Sequence, residues 1–124
     1  FVVNGTPVDC VKIGVSSILK EKPDLLVSGI NPGANIGMDV LYSGTVSAAA
    51  EGAILGIPSI AVSVDASGDF EFDSAASVTS RIIRGLSRMK MPKDTMLNIN
   101  VPNCKADRIR GIKVTYQSES RFEE

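Results

Sequence analysis

The chain has 124 residues, which suits one domain and leaves no room for two, and its 44% hydrophobic content is enough to bury a core. Thirteen Lys and Arg stand against 14 Asp and Glu, so a net charge of −1 and a pI near 5.5 exclude the basic field that recruits nucleic-acid polymers. The absence of His excludes a Ser-His-Asp or Cys-His site and any His-ligated metal, and two cysteines 94 positions apart exclude a CxxC pair, which fits a reduced, cytoplasmic setting.

Phe1, Val2 and Val3 read as the end of a buried strand, closed by the turn pair Asn4-Gly5. A helix is predicted to start at Thr6-Pro7, with Thr as N-cap, Pro at the first helical position and Asp9 at the third. Val8, Val11, Val15, Ile18 and Leu19 follow helical spacing. Residues 25–27 form a short strand leading into Gly29, and residues 29–44 read as an irregular connection between that strand and a helix N-terminus. The helix covers about 45–55 and stops at Gly56 with Pro58 beyond it. Residues 59–64 (SIAVSV) read as a buried parallel strand. A third helix is expected over 73–89, with Asp73 as N-cap, Val78, Ile82, Leu86 and Met89 inward, and Arg81, Arg84 and Arg88 on a solvated face. Residues 97–101 alternate strictly and predict a strand with one polar face, on which Asn98 and Asn100 decorate the outside; 111–116 (GIKVTY) predict another strand.

No apolar run approaches the roughly 18 residues of a membrane helix, because Glu51, Pro58 and Asp65 interrupt the most apolar stretch. No membrane partner is expected. The opening in mid-strand, the missing initiator Met and the charged tail 119–124 predict a piece of a longer protein. The element order β-α-β-α-β-α-β-β predicts an α/β fold: an open, mostly parallel sheet in a Rossmann-like three-layer α/β/α arrangement. Ligands of such sheets bind outside the carboxyl ends of the strands.

The connection 29–44 supplies such an end. It carries Gly29, Gly33, Gly37 and Gly44, Asn31 and Asn35, and the hydroxyl of Ser43, with Thr45 directly after it. Ser43-Gly44-Thr45 opens the next helix, where free N–H groups and the helix dipole favour an anion such as phosphate. The 58 residues between Lys22 and Arg81 contain no Lys or Arg, whereas seven acids lie among them. A phosphate bound here therefore takes its compensating charge from a metal ion or from another part of the protein. A Walker A site is excluded by the lack of Gly-Lys-Ser/Thr, and the glycine spacing is not GxGxxG. Asn31 and Asn35 have two readings, as left-handed turn residues or as ligands, and Asp39 is a ligand, a partner of one, or solvated.

The segment GINPGANIGMDVLYSGTVSAAAEG, residues 29–52, resembles the signature of SurE, the stationary-phase survival protein family of nucleotidases. GTPVDCV (5–11), PDLLVSGIN (23–31), GIPSIAVS (56–63) and LNINVP (97–102) match as well and in order, so the resemblance covers most of residues 1–124 as a single domain. It implies a metal-dependent phosphomonoesterase acting on nucleoside 5′- and 3′-monophosphates, in some members on short polyphosphate, using Mg²⁺ or Mn²⁺. It implies a homodimer or homotetramer for the full-length protein. By the same resemblance Asn31 is a metal ligand, and Asn35, Ser43, Gly44 and Thr45 form the phosphate pocket. The family's adjacent Asp pair and metal-binding Ser, and its C-terminal segment, are expected outside this chain, which contains no adjacent Asp pair. The chain by itself is therefore expected to lack turnover. The alternative is a non-catalytic phosphate- or nucleotide-binding domain, or a structural fragment, of the same fold. No residue is assigned as general acid or base.

Overall fold

Strand β2 (Ser59–Asp65) is central: Ile60, Val62 and Val64 supply β-branched bulk, and every residue except Asp65 is buried. A strand so apolar needs cover on both faces. The structure, a computed structural model, describes residues 1–65, 68–86 and 91–119. Parallel to β2 run β1 (Leu26–Pro32) and β3 (Met96–Pro102), in the order β1-β2-β3. The strand period of two gives the sheet its faces. Ser59, Ala61 and Ser63 share one face with Met96, Asn98 and Asn100, while Ile60, Val62 and Val64 share the other with Leu97, Ile99 and Val101.

Helix α1 (Pro7–Ile13) and helix α2 (Gly44–Ile54) pack together, and α2 covers the first face, with Val46 and Ala49 against Ala61 and with Leu26, Val40 and Met96 around them. Helix α3 (Phe72–Leu86) covers the second face, where Ala75 meets Val64 and Val101, flanked by Ile30, Val78, Ile99 and Ile109. The open α/β fold with its parallel sheet between helical layers is thus the architecture that the element order predicts. No helix among the described residues is long and apolar enough to cross a membrane.

Several boundaries differ from expectation. Two predicted strands do not form: Phe1 and Val2 are fully exposed, and Ile112, Val114 and Tyr116 are largely or wholly so, with no ladder on either segment. Strand propensity expresses itself only against a neighbour that supplies hydrogen bonds and cover, and neither segment has one among the described residues. Helix α1 passes into a π-helical turn, Gly14–Ile18. Helix α3 begins at Phe72, so Asp73 lies in its first turn instead of capping it, where its charge still suits the helix dipole. Arg81 and Arg84 are exposed as expected; Arg88 and Met89 fall outside the described residues.

The most consequential difference is in β1, which runs on to Pro32 and takes the first four residues of the predicted irregular stretch into the sheet. It does so through a bulge. Ser28 pairs with Ala61 and Asn31 with Ser63, so Gly29 and Ile30 together stand opposite Val62. The extra residue reverses the alternation beyond it and puts Asn31 on the α2 face, with Ser63. Only glycine suits position 29: its φ is +129°, and a Cβ there would run into the Val62 carbonyl oxygen. The remainder of the stretch contains a 3-10 helix, Gly37–Tyr42, before α2 starts.

Candidate functional site

The first turn of α2 sets one wall of the site. Ser43 is its N-cap, with Oγ accepting from the Val46 N–H at 3.2 Å and the Ser43 carbonyl accepting from the Ser47 N–H at 2.9 Å. The leading N–H groups, those of Gly44 and Thr45, have no intrahelical acceptor and stand at the positive end of the helix dipole. Across from them, Asn31 at the carboxyl end of β1 donates from Nδ2 to the Gly33 carbonyl at 2.8 Å. Its Oδ1 accepts from the Thr45 hydroxyl at 3.4 Å, a long and weak bond. Strand end and helix start therefore meet at Asn31 and Thr45, as the expected strand-to-helix connection requires.

Asn35 occupies the neighbouring position. It is buried, and its Nδ2 donates to the Ser63 Oγ at 2.6 Å, on the strand residue that pairs with Asn31. Its main chain is held from β3. The Asn35 N–H donates to Asn100 Oδ1 at 2.8 Å, and its carbonyl accepts from Asn98 Nδ2 at 2.8 Å and from Asn100 Nδ2 at 3.1 Å. The structure thus brings Asn31, Ser43, Gly44 and Thr45 to one corner and ties Asn35 to an adjoining polar network. Sequence reasoning left Ser63 unnamed and read Asn98 and Asn100 as decoration of the strand's outer face. Asn98 is exposed as that reading has it and Asn100 is half-buried, but the amides of both bond to Asn35. The available signal was their alternation, which put two amides on one face of a strand next to the carboxyl end.

The charge distribution bears on what can bind. No basic side chain lies between positions 22 and 81, and Asp39, on the 3-10 helix, is exposed. Among the described residues, no group of three or more His, Cys, Asp or Glu gathers that could hold a metal ion. Asn31 Oδ1 and Thr45 Oγ1 are neutral oxygens of the kind hard cations accept, but a dication is normally retained through one or more carboxylates. By themselves, these residues do not fit a divalent ion.

The family model described as Survival protein SurE matches residues 1–124. The chain belongs to the SurE family. It is similar to proteins named 5′-nucleotidase SurE from Syntrophobacter fumaroxidans, 48% identical over 122 residues, and from Aquifex aeolicus, 49% identical over 124 residues. These matches cover 98% and 99% of the chain and 49% of each relative. The chain spans about half the length of the curated relatives it matches. The crystal structure of the SurE protein from Aquifex aeolicus aligns with a TM-score of 0.89 at 50% identity, over 93% of this chain and 47% of that one. The open α/β fold described above thus has a solved counterpart in its architecture.

Proposed function

We propose that the complete protein is a phosphomonoesterase that hydrolyses nucleoside 5′- and 3′-monophosphates, and short polyphosphate, to release phosphate. The observation that carries this reading is the meeting of Asn31 with the Thr45 hydroxyl in the first turn of α2, in a chain whose relatives are named 5′-nucleotidase. In this reading the N–H groups of Gly44 and Thr45 and the side chains of Ser43 and Thr45 bind the phosphate oxygens. Asn35 completes the pocket. Donors aimed in advance at the phosphate oxygens stabilise charge that grows there during hydrolysis, without reorganising at that moment.

The reading includes a divalent ion, Mg²⁺ or Mn²⁺, for which Asn31 Oδ1 is a neutral donor and whose carboxylate ligands come from outside the described residues. That ion supplies the positive charge that the loop lacks. The substrate is a small phosphomonoester, without a nucleic-acid polymer or a membrane as partner, and the complete protein is a homodimer or homotetramer. The unpaired Cys10 and Cys104 support a cytoplasmic location.

The test is phosphate release from AMP and 3′-AMP by the complete protein with Mg²⁺ or Mn²⁺, and with chelator. Release that stops on chelation supports the reading; no release with either metal overturns it. For residues 1–124 taken alone, the lack of a gathered carboxylate cluster among the described residues favours phosphate binding without turnover. Thermal stabilisation by inorganic phosphate, with no hydrolysis of AMP, is the corresponding result.

A further inference from the structure

We propose that Asn98 and Asn100 are positioning residues, which set the phosphate-binding loop by clamping both main-chain polar groups of Asn35; this rests on the reading of Asn35 as part of the phosphate pocket. An asparagine on the outer face of a strand ordinarily spends its amide on water. Here Asn100 uses both ends of its amide on one loop residue, Oδ1 taking the Asn35 N–H and Nδ2 reaching the Asn35 carbonyl, and Asn98 adds a second donor to that carbonyl. The side-chain amide of Asn100 thereby stands in for the peptide group of a neighbouring strand.

The partners are 63 and 65 residues apart in sequence, so the loop is fixed by the sheet and not by its own local turns. With its N–H and carbonyl both held, Asn35 has little freedom to turn about its backbone, and its side chain is directed to Ser63. The clamp lies in the segment that joins Asn31 to Ser43, four residues after Asn31, on the sheet face shared by Ser63 and Asn100. Loosening it frees the loop relative to the start of α2. Ligand groups must be held to a fraction of an ångström by the structure behind them.

The test compares the complete protein with its Asn98→Ala/Asn100→Ala variant, using AMP as substrate and inorganic phosphate as competitive inhibitor. Expected are rises of about tenfold or more in both KM for AMP and Ki for phosphate, with kcat within about threefold of the parent. Damage that only reduces the amount of folded enzyme lowers kcat and leaves KM and Ki alone; that result overturns the proposal, as do unchanged values throughout. If the double variant does not fold, Asn100→Asp serves, since it keeps the acceptor for the Asn35 N–H and loses one donor to its carbonyl. An intermediate rise in KM and Ki is expected, and parental values overturn the clamp. If the parent releases no phosphate, the phosphatase reading fails separately, and the clamp is read from inorganic phosphate binding by ³¹P line width. Weaker binding by the variant then supports the clamp, and equal binding, or none by the parent, overturns it.

Discussion

Gly52 shows how one hydrogen atom can decide packing. It sits in α2, where alanine would raise helix propensity by about 1 kcal/mol. A Cβ at this position, however, would stand 2.9 Å from Leu26 Cδ1 and run into Ser59 Oγ, which donates a 2.8 Å hydrogen bond to the Ile57 carbonyl and cannot yield freely. Overpacking of this kind costs about 1–3 kcal/mol, so Gly52→Ala is expected to lower the urea midpoint despite the better helix former. Asn31 poses the opposite case. Its amide makes one good bond to Gly33 and a weak one to Thr45, so Asn31→Ala should cost only about 1 kcal/mol of stability. In the complete protein the same variant should need more Mn²⁺ for half-maximal phosphate release and should turn over more slowly when saturated. Full turnover at limiting Mn²⁺ would remove Asn31 from the ligand set.

Among the elements, α1 shows most directly how local sequence makes structure. Thr6 and Asp9 form a capping box: the Asp9 N–H donates to Thr6 Oγ1 at 3.2 Å, and the Thr6 N–H donates to Asp9 Oδ2 at 2.8 Å. The Thr6 hydroxyl also donates to Asp9 Oδ2 at 2.7 Å. This hydroxyl bond, followed by the Thr6 N–H and a smaller attraction from Lys12, holds the Asp9 carboxyl below its ordinary value of 3.8. A depressed folded-state value means that the bond supports the helix fully above pH 3.8 and ceases to do so as pH falls through the folded value. Protection of the first-turn amides of α1, measured against their intrinsic exchange rates, should therefore fall over that acid window, and Asp9→Asn should flatten the dependence. A parental pH profile in Asp9→Asn would show that another group governs the turn. The Lys12–Glu51 pair, 3.8 Å apart and largely exposed at Lys12, joins α1 to α2 but contributes little.

For the whole molecule, the question is what residues 1–124 can do without the rest of a protein about twice as long in its curated relatives. They provide a parallel sheet and the corner of Asn31, Ser43, Gly44 and Thr45 that is proposed to bind phosphate. They do not gather carboxylates among the described residues, and Mg²⁺ sheds its water reluctantly without them. Purified residues 1–124 are expected to hydrolyse AMP no faster than a metal-buffer blank, whereas the complete protein is expected to hydrolyse it with either metal. Chelator-sensitive hydrolysis by the 124-residue chain would overturn the ligand assignment at its root.

Sequence alone determined the helix starts at Thr6 and Ser43, the buried strand at 59–64 and the α/β class, because caps, glycines and apolar periods act over a few residues. It also displayed Asn31, Asn35, Ser43, Gly44 and Thr45 as one conspicuous segment. Three features were decided only by tertiary structure. Propensity for strand at 1–3 and 111–116 came to nothing without a partner among the described residues, since a ladder needs two strands. The bulge at Gly29 and Ile30 exists because β2 imposes its register, and it alone determines that Asn31 faces the α2 side. The hold of Asn98 and Asn100 on Asn35 joins residues more than 60 positions apart, and no local pattern encodes which loop a strand's amides will meet.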